Sequence, residues 1–95
     1  MTQTTLTAEG QTADTSATVS IPAGASYVFG IYTSAASIPA NAYVDIVAVT
    51  PGNTRLICQL TGNGKPQVIS GPVDVKAVRP NLSAFGVNVG VYYNQ

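Results

Sequence analysis

Apolar side chains in this chain return at every second residue, and nowhere does an apolar 3.6-residue period persist for ten residues. That feature argues against a helical fold, because alternate residues share a strand face whereas a helix face needs a spacing of three to four. Ala17, Val19 and Ile21 alternate with Thr18 and Ser20; Val73, Val75 and Ala77 alternate with Asp74 and Lys76; Val87, Val89 and Val91 alternate with Asn88 and Gly90. Residues 27–32 are apolar on both faces, as a central strand requires, and Gly30 within them marks a bulge or a close backbone approach. Residues 42–49 are apolar except at Asp45, and residues 54–60 place Leu56, Cys58 and Leu60 on one face with Arg55, Ile57 and Gln59 on the other. Residues 67–70 form a short strand.

The breaks between these runs carry turn chemistry. Thr50-Pro51-Gly52-Asn53 suits a hairpin, and Asn63-Gly64 is a strong short hairpin signal. Gly71-Pro72 and Arg79-Pro80-Asn81 interrupt two more runs. Ile21-Pro22-Ala23-Gly24-Ala25 is echoed by Ile38-Pro39-Ala40-Asn41-Ala42; Gly and Asn both tolerate the left-handed conformation, so the two segments are expected to form one kind of turn. About seven to eight short strands at roughly ten-residue spacing predict an all-β fold, an antiparallel β-sandwich or jelly roll. Residues 17–95 make a single sandwich domain, and the Thr-rich residues 1–16 are an N-terminal arm or an edge strand.

A 95-residue chain has room for one core and buries a smaller share of its surface than larger domains do. Cys58 is the only cysteine and there is no histidine, so neither a disulfide nor a structural zinc site is expected to supplement that core. Association with other chains is the remaining supplement. Four basic residues (Arg55, Lys65, Lys76, Arg79) balance four acidic ones (Glu9, Asp14, Asp45, Asp74). Nucleic acid and anionic membrane surfaces both require a basic surplus, so neither is an expected partner. A surface that is sparsely charged and neutral overall tends to adhere to other surfaces. The first residues show neither the basic nor the apolar segment of a secretory signal, and no apolar run reaches 18 residues.

The residues that usually carry chemistry are few. Cys58 has no histidine to deprotonate it and no cation beside it in sequence. Asp45 and Asp74 form a carboxylate pair only if their strands are neighbours, and each sits where an outward charge of an alternating strand belongs. Calcium-loop spacing, a Gly-x-Ser-x-Gly elbow and a phosphate-cradling loop before a helix are all missing, so no catalytic residue, metal or cofactor is expected. The candidates for contact are different. Tyr27 and Tyr43, on apolar strands, are expected to fill the core; Tyr92 and Tyr93 are consecutive strand residues, so one of them faces away from it. Ile38, in a small-residue loop, is a docking knob or a lid on its own core. Thr2, Thr4 and Leu6 are the contact residues if the arm reaches a neighbour by strand addition.

The strand followed by IPAG, the YVFG strand, the TPGN hairpin and the GPVDVKAVRP…GVNVGVYY finish together resemble small β-sandwich virion proteins of tailed bacteriophages. The likeness runs from about residue 18 to residue 93 and is one of strand sequence, without a diagnostic motif. It implies a decoration (cement) protein that binds the outer capsid surface, bridges copies of the major capsid protein and forms a homo-oligomer, as a trimer, on the virion. A tail- or fibre-associated module binding a receptor or glycan is the alternative such a likeness allows. Apart from that likeness, a non-viral bacterial surface or scaffold domain is a third hypothesis, and it is expected to carry an export signal, which these residues do not show.

Overall fold

In the computed structural model, which describes residues 3–34, 38, 39, 41–50, 53–62 and 65–95, the alternating runs become nine strands: β1 (Gln3–Gly10), β2 (Asp14–Thr15), β3 (Val19–Ile21), β4 (Ser26–Tyr32), β5 (Tyr43–Thr50), β6 (Asn53–Thr61), β7 (Gln67–Ser70), β8 (Val73–Arg79) and β9 (Val89–Asn94). One 3₁₀ turn, Ser83–Phe85, separates β8 from β9. Sheet A has the order β1-β9-β4-β7 and sheet B the order β2-β8-β5-β6, with β3 also pairing β8. Every pairing is antiparallel. The fold is an all-β sandwich, as the alternation predicts.

The core lies between the sheets. Sheet A contributes Phe29, Ile69, Val89 and Val91, and sheet B contributes Val19, Ile21, Val44, Ile46, Leu60, Val75 and Ala77. Leu82 and Val87 are buried with them, and the Leu82 amide bonds to Gln11 O at 2.6 Å. The doubly apolar β4 is central in sheet A, between β9 and β7.

Three local expectations change. Asn63-Gly64 lies outside the described residues, but the strands that flank it, β6 and β7, sit in different sheets and do not form a hairpin. β6 ends at Thr61 in sheet B and β7 begins at Gln67 in sheet A, with Gly62 packed beneath the Ile38 and Pro39 carbonyls. Residues 51–52 also lie outside the described residues, although β5 and β6 do pair up to Thr50 and Asn53.

The second change concerns β6. Ile46 pairs with Cys58 but the next residue, Val47, pairs with Leu56, so Ile57 is the extra residue of a bulge. Leu60 and Cys58 keep to the core side, opposite Val44 and Ile46, while Leu56 is carried with Val47 to the outer face. A one-residue slip reverses the alternation for everything beyond it. Leu56 is therefore 53% exposed and Ile57 38%.

The third concerns the repeated turn. Both copies close with the same bond, Ala25 N to Pro22 O at 3.2 Å and Ala42 N to Pro39 O at 3.0 Å. Gly24 has φ 83°, whereas Asn41 stays at negative φ, so only the glycine copy uses the left-handed region.

Each sheet edge is blunted, and each by a different means. β1 carries register shifts at Leu6 and again before Gly10; β7 is four residues long with Pro66 and Pro72 close to its ends; β2 and β3 are two and three residues long; β6 has its bulge. Such devices keep edges from adding a foreign strand. Strand β1 belongs to its own molecule's sheet, along β9, so Gln3–Gly10 already uses one side of its backbone at home.

Candidate functional site

With the edges blunted, the surfaces left for recognition are the outer faces of the two sheets, and strand register determines what each displays. On sheet A the outward positions are Gln3 and Thr5 of β1, Gly90, Tyr92 and Asn94 of β9, Ser26, Val28, Gly30 and Tyr32 of β4, and Val68 and Ser70 of β7. None of these is charged; Glu9, exposed near the end of β1, is the one ionisable carboxylate on the strands of this sheet, and it accepts a hydrogen bond from the Ser34 amide just past β4. On sheet B the outward positions of β5, β6 and β8 include Tyr43, Asp45, Val47, Leu56, Gln59, Asp74, Lys76 and Val78. Sheet B thus carries two carboxylates and an ammonium on its face, whereas sheet A carries one carboxylate, the exposed Glu9 of β1, and no cation.

The sheet A face is built around two crossed pairs. Tyr92 is registered opposite Gly30, and Tyr32 opposite Gly90. A Cβ at Gly30 would collide with the Tyr92 phenol, and one at Gly90 with the Tyr32 phenol. Each ring therefore lies over the bare backbone of the neighbouring strand instead of standing off the sheet. The two rings are 6.4 Å apart and tilted by 51°, and both side chains are half-buried. This is the close approach that Gly30 signals in the sequence. The serine pair Ser26 and Ser70 closes one corner of the face with a 2.9 Å hydroxyl contact.

The contact residues expected from the sequence do not form one surface. Thr2 lies outside the described residues. Thr4 is registered opposite Tyr93 on the core side, and Tyr93 stacks on Phe29 at 5.6 Å and on Tyr27 at 5.8 Å. Leu6, the extra residue of the first β1 irregularity, packs against the core. Ile38 is half-buried and packs against the core as well. Tyr92 alone faces outward among the described members of that set. Tyr27 joins the core; Tyr43, on the opposite parity of β5 from Val44 and Ile46, does not.

The chemistry-bearing groups stand apart from one another. The strands of Asp45 and Asp74 are neighbours, but Asp45 is registered with Val78, four residues beyond Asp74. At about 3.3 Å per residue that separates them by roughly 13 Å along the sheet, too far to share a proton. Asp45 instead accepts a 3.0 Å bond from Gln59 Nε2. Burial pushes the Cys58 thiol up from its ordinary range, which disfavours the thiolate a nucleophile needs. No cluster of three metal-ligating side chains occurs among the described residues. A recess of about 90 Å³ lined by Gly30, Ile31, Ile38, Leu60, Thr61, Gly62, Lys65 and Pro66 is well below the roughly 300 Å³ at which small-molecule sites begin.

Arg79 is the one charged side chain with a built environment. It is 4% exposed; Nη1 donates to Ala8 O at 2.8 Å and Val89 O at 2.7 Å, and Nε donates to Thr12 O at 2.8 Å. Asp14 lies 3.9 Å from Nη2 and is itself 53% exposed. The guanidinium ties β1, β9 and the β1–β2 connection to the end of β8. Nothing in the sequence distinguishes it from the other three cations, since its partners are carbonyls that only tertiary structure supplies.

No family model matches this sequence, and neither a curated protein nor a solved structure shows significant similarity to it.

Proposed function

We propose that this chain is a non-catalytic structural module of a virion, a decoration protein that docks on the outer surface of a tailed-phage capsid and bridges copies of the major capsid protein, acting as a homotrimer. The observation that carries this reading is the pair Leu56 and Ile57. The bulge on edge strand β6 turns two large apolar side chains to solvent, 53% and 38% exposed, on a molecule with no net charge to keep copies apart. A bulged edge presents side chains more readily than it accepts a strand, so the contact is a knob into a partner's surface. A small knob binds weakly alone, and many copies on a repeating lattice add up by avidity. The resemblance in strand sequence to phage virion proteins supplies the identity of the lattice.

The test is co-sedimentation with expanded heads lacking this protein, using the wild type and Leu56→Ser/Ile57→Ser. Both substitutions lie at exposed positions, so the variant is expected to fold. Binding of the wild type and at least tenfold weaker binding of the variant are expected. Native mass gives the second readout, a trimer being the expected species. A protein that stays in the supernatant with every head preparation and remains monomeric removes the proposal.

A further inference from the structure

The cation-free outer face of sheet A, whose one carboxylate is Glu9 with its Oε1 accepting from the Ser34 amide, has no part in that docking contact, and its chemistry indicates a ligand of its own. We infer that the outer face of sheet A is a platform for a neutral polysaccharide, with the rings of Tyr92 and Tyr32 stacking on pyranose faces and Asn94, Gln3 and Thr5 hydrogen-bonding to hydroxyls.

Three observations lead there. The phenol end of each ring crosses glycine backbone, Tyr92 over Gly30 and Tyr32 over Gly90, so each ring is held close to the sheet while the two stay tilted by 51° to each other. A sugar presents C–H groups to such a ring and gains both apolar contact and attraction to its electron-rich face. Next, the polar groups at the Tyr92 end of the face are uncharged: Thr5 is registered with Tyr92, and Gln3 with Asn94. Amides and hydroxyls both donate and accept, as sugar hydroxyls do, and the lack of a cation on the face disfavours an anionic polymer. Size is the third. Four strands at about 4.8 Å spacing and six residues at about 3.3 Å rise give a face of roughly 400 Å², half of the roughly 800 Å² that each partner contributes to a standard protein interface. A segment of a few sugar units fits within such a face. Each site binds weakly, and an array of copies would hold a repeating polymer by multivalency.

This inference does not depend on attachment to a head, so its failure would leave the docking proposal in place. The full chain, labelled with ¹⁵N, is titrated with neutral hexasaccharides of glucose (α- and β-linked), mannose and N-acetylglucosamine, and with a hexamer of galacturonate as the anionic comparison. At least one neutral hexasaccharide is expected to shift the amides of residues 3–5, 28–32 and 90–94 with a Kd of about 1–10 mM, and the galacturonate hexamer at least fivefold less. Tyr92→Ala is expected to weaken binding at least fivefold. Because that change uncovers Gly30, Thr5→Lys is the second variant: Thr5 is exposed, its replacement leaves the core alone, and it places a charge beside Tyr92. It is expected to weaken binding by a similar factor. No shift with any neutral hexasaccharide at about 10 mM overturns the inference, as do shifts centred on sheet B or undiminished binding by the Thr5→Lys variant.

Discussion

Gly62 and Gly71 occupy equivalent places in two copies of one supersecondary unit. Gly71 N–H donates to Ala25 O at 2.9 Å, and Gly62 N–H donates to Ala42 O at 3.2 Å. In both, the strand that follows an Ile-Pro-Ala-x-Ala turn pairs antiparallel with the strand that ends at the glycine, Ser26 with Ser70 and Tyr43 with Thr61. One copy lies in sheet A and the other in sheet B, so the sequence echo is the visible half of a repeated packing arrangement. Its other half, the glycine, has no partner in the sequence echo.

A Cβ at either glycine would run into the carbonyl oxygens of the Ile-Pro pair, Ile21 and Pro22 for Gly71 and Ile38 and Pro39 for Gly62. Those are backbone atoms, which cannot rotate aside. Gly62→Ala and Gly71→Ala are each expected to cost about 2–3 kcal/mol in urea unfolding. Gly24→Ala meets nothing within 4 Å and pays only for its φ of 83°, so about 1 kcal/mol is expected. A larger loss at Gly24 than at the other two would refute this account.

Arg79 is expected to be the most costly charge to remove. Arg79→Met leaves the buried carbonyl of Val89 and the part-buried carbonyls of Ala8 and Thr12 without their donor, for a loss of about 2–4 kcal/mol. Asp14→Asn should cost under about 1 kcal/mol, because the carboxylate is half in water and makes one long contact. Denaturant midpoints of the two variants would decide it; equal losses would mean that the ion pair and not the carbonyl cage holds the arginine.

Thr7 offers a stabilising change. Its side chain is 4% exposed and its Oγ1 has no hydrogen-bond partner among the described residues. Thr7→Val keeps the shape and the β-branching while removing a buried unpaired hydroxyl, so a gain of about 1 kcal/mol is expected. A drop in the melting midpoint would show that the hydroxyl is satisfied in solution.

Cys58 sets a pH dependence. Its thiol is raised by burial, so the folded chain holds the proton at pH values where the unfolded chain has released it. The unfolded state then binds fewer protons, and stability falls as pH rises from the ordinary thiol range through the raised folded value. Below that range the thiol has no effect on the pH profile. Cys58→Ala should flatten the alkaline part of a stability-against-pH curve, and thiol-specific labelling of the folded wild type should be slow at neutral pH. A slope unchanged by the substitution would assign the alkaline loss to other groups.

The all-β class was legible in the sequence because side-chain alternation is a local property: strand geometry alone converts Val73, Val75 and Ala77 into one buried row, and Tyr92 and Tyr93 into opposite faces. The central place of β4 was legible for the same reason, from apolar residues on both of its faces. What only tertiary structure decided is whatever depends on register between distant segments. The Ile57 bulge turned Leu56 outward against its own alternation, register held Asp45 away from Asp74, and crossed pairing laid Tyr92 on Gly30 and Tyr32 on Gly90. Arg79 found its carbonyls in segments up to 71 residues away. Local sequence encodes which face a residue takes along its own strand; which residue lies across from it is a property of two strands at once, and in this protein the candidate surfaces are made of those pairings.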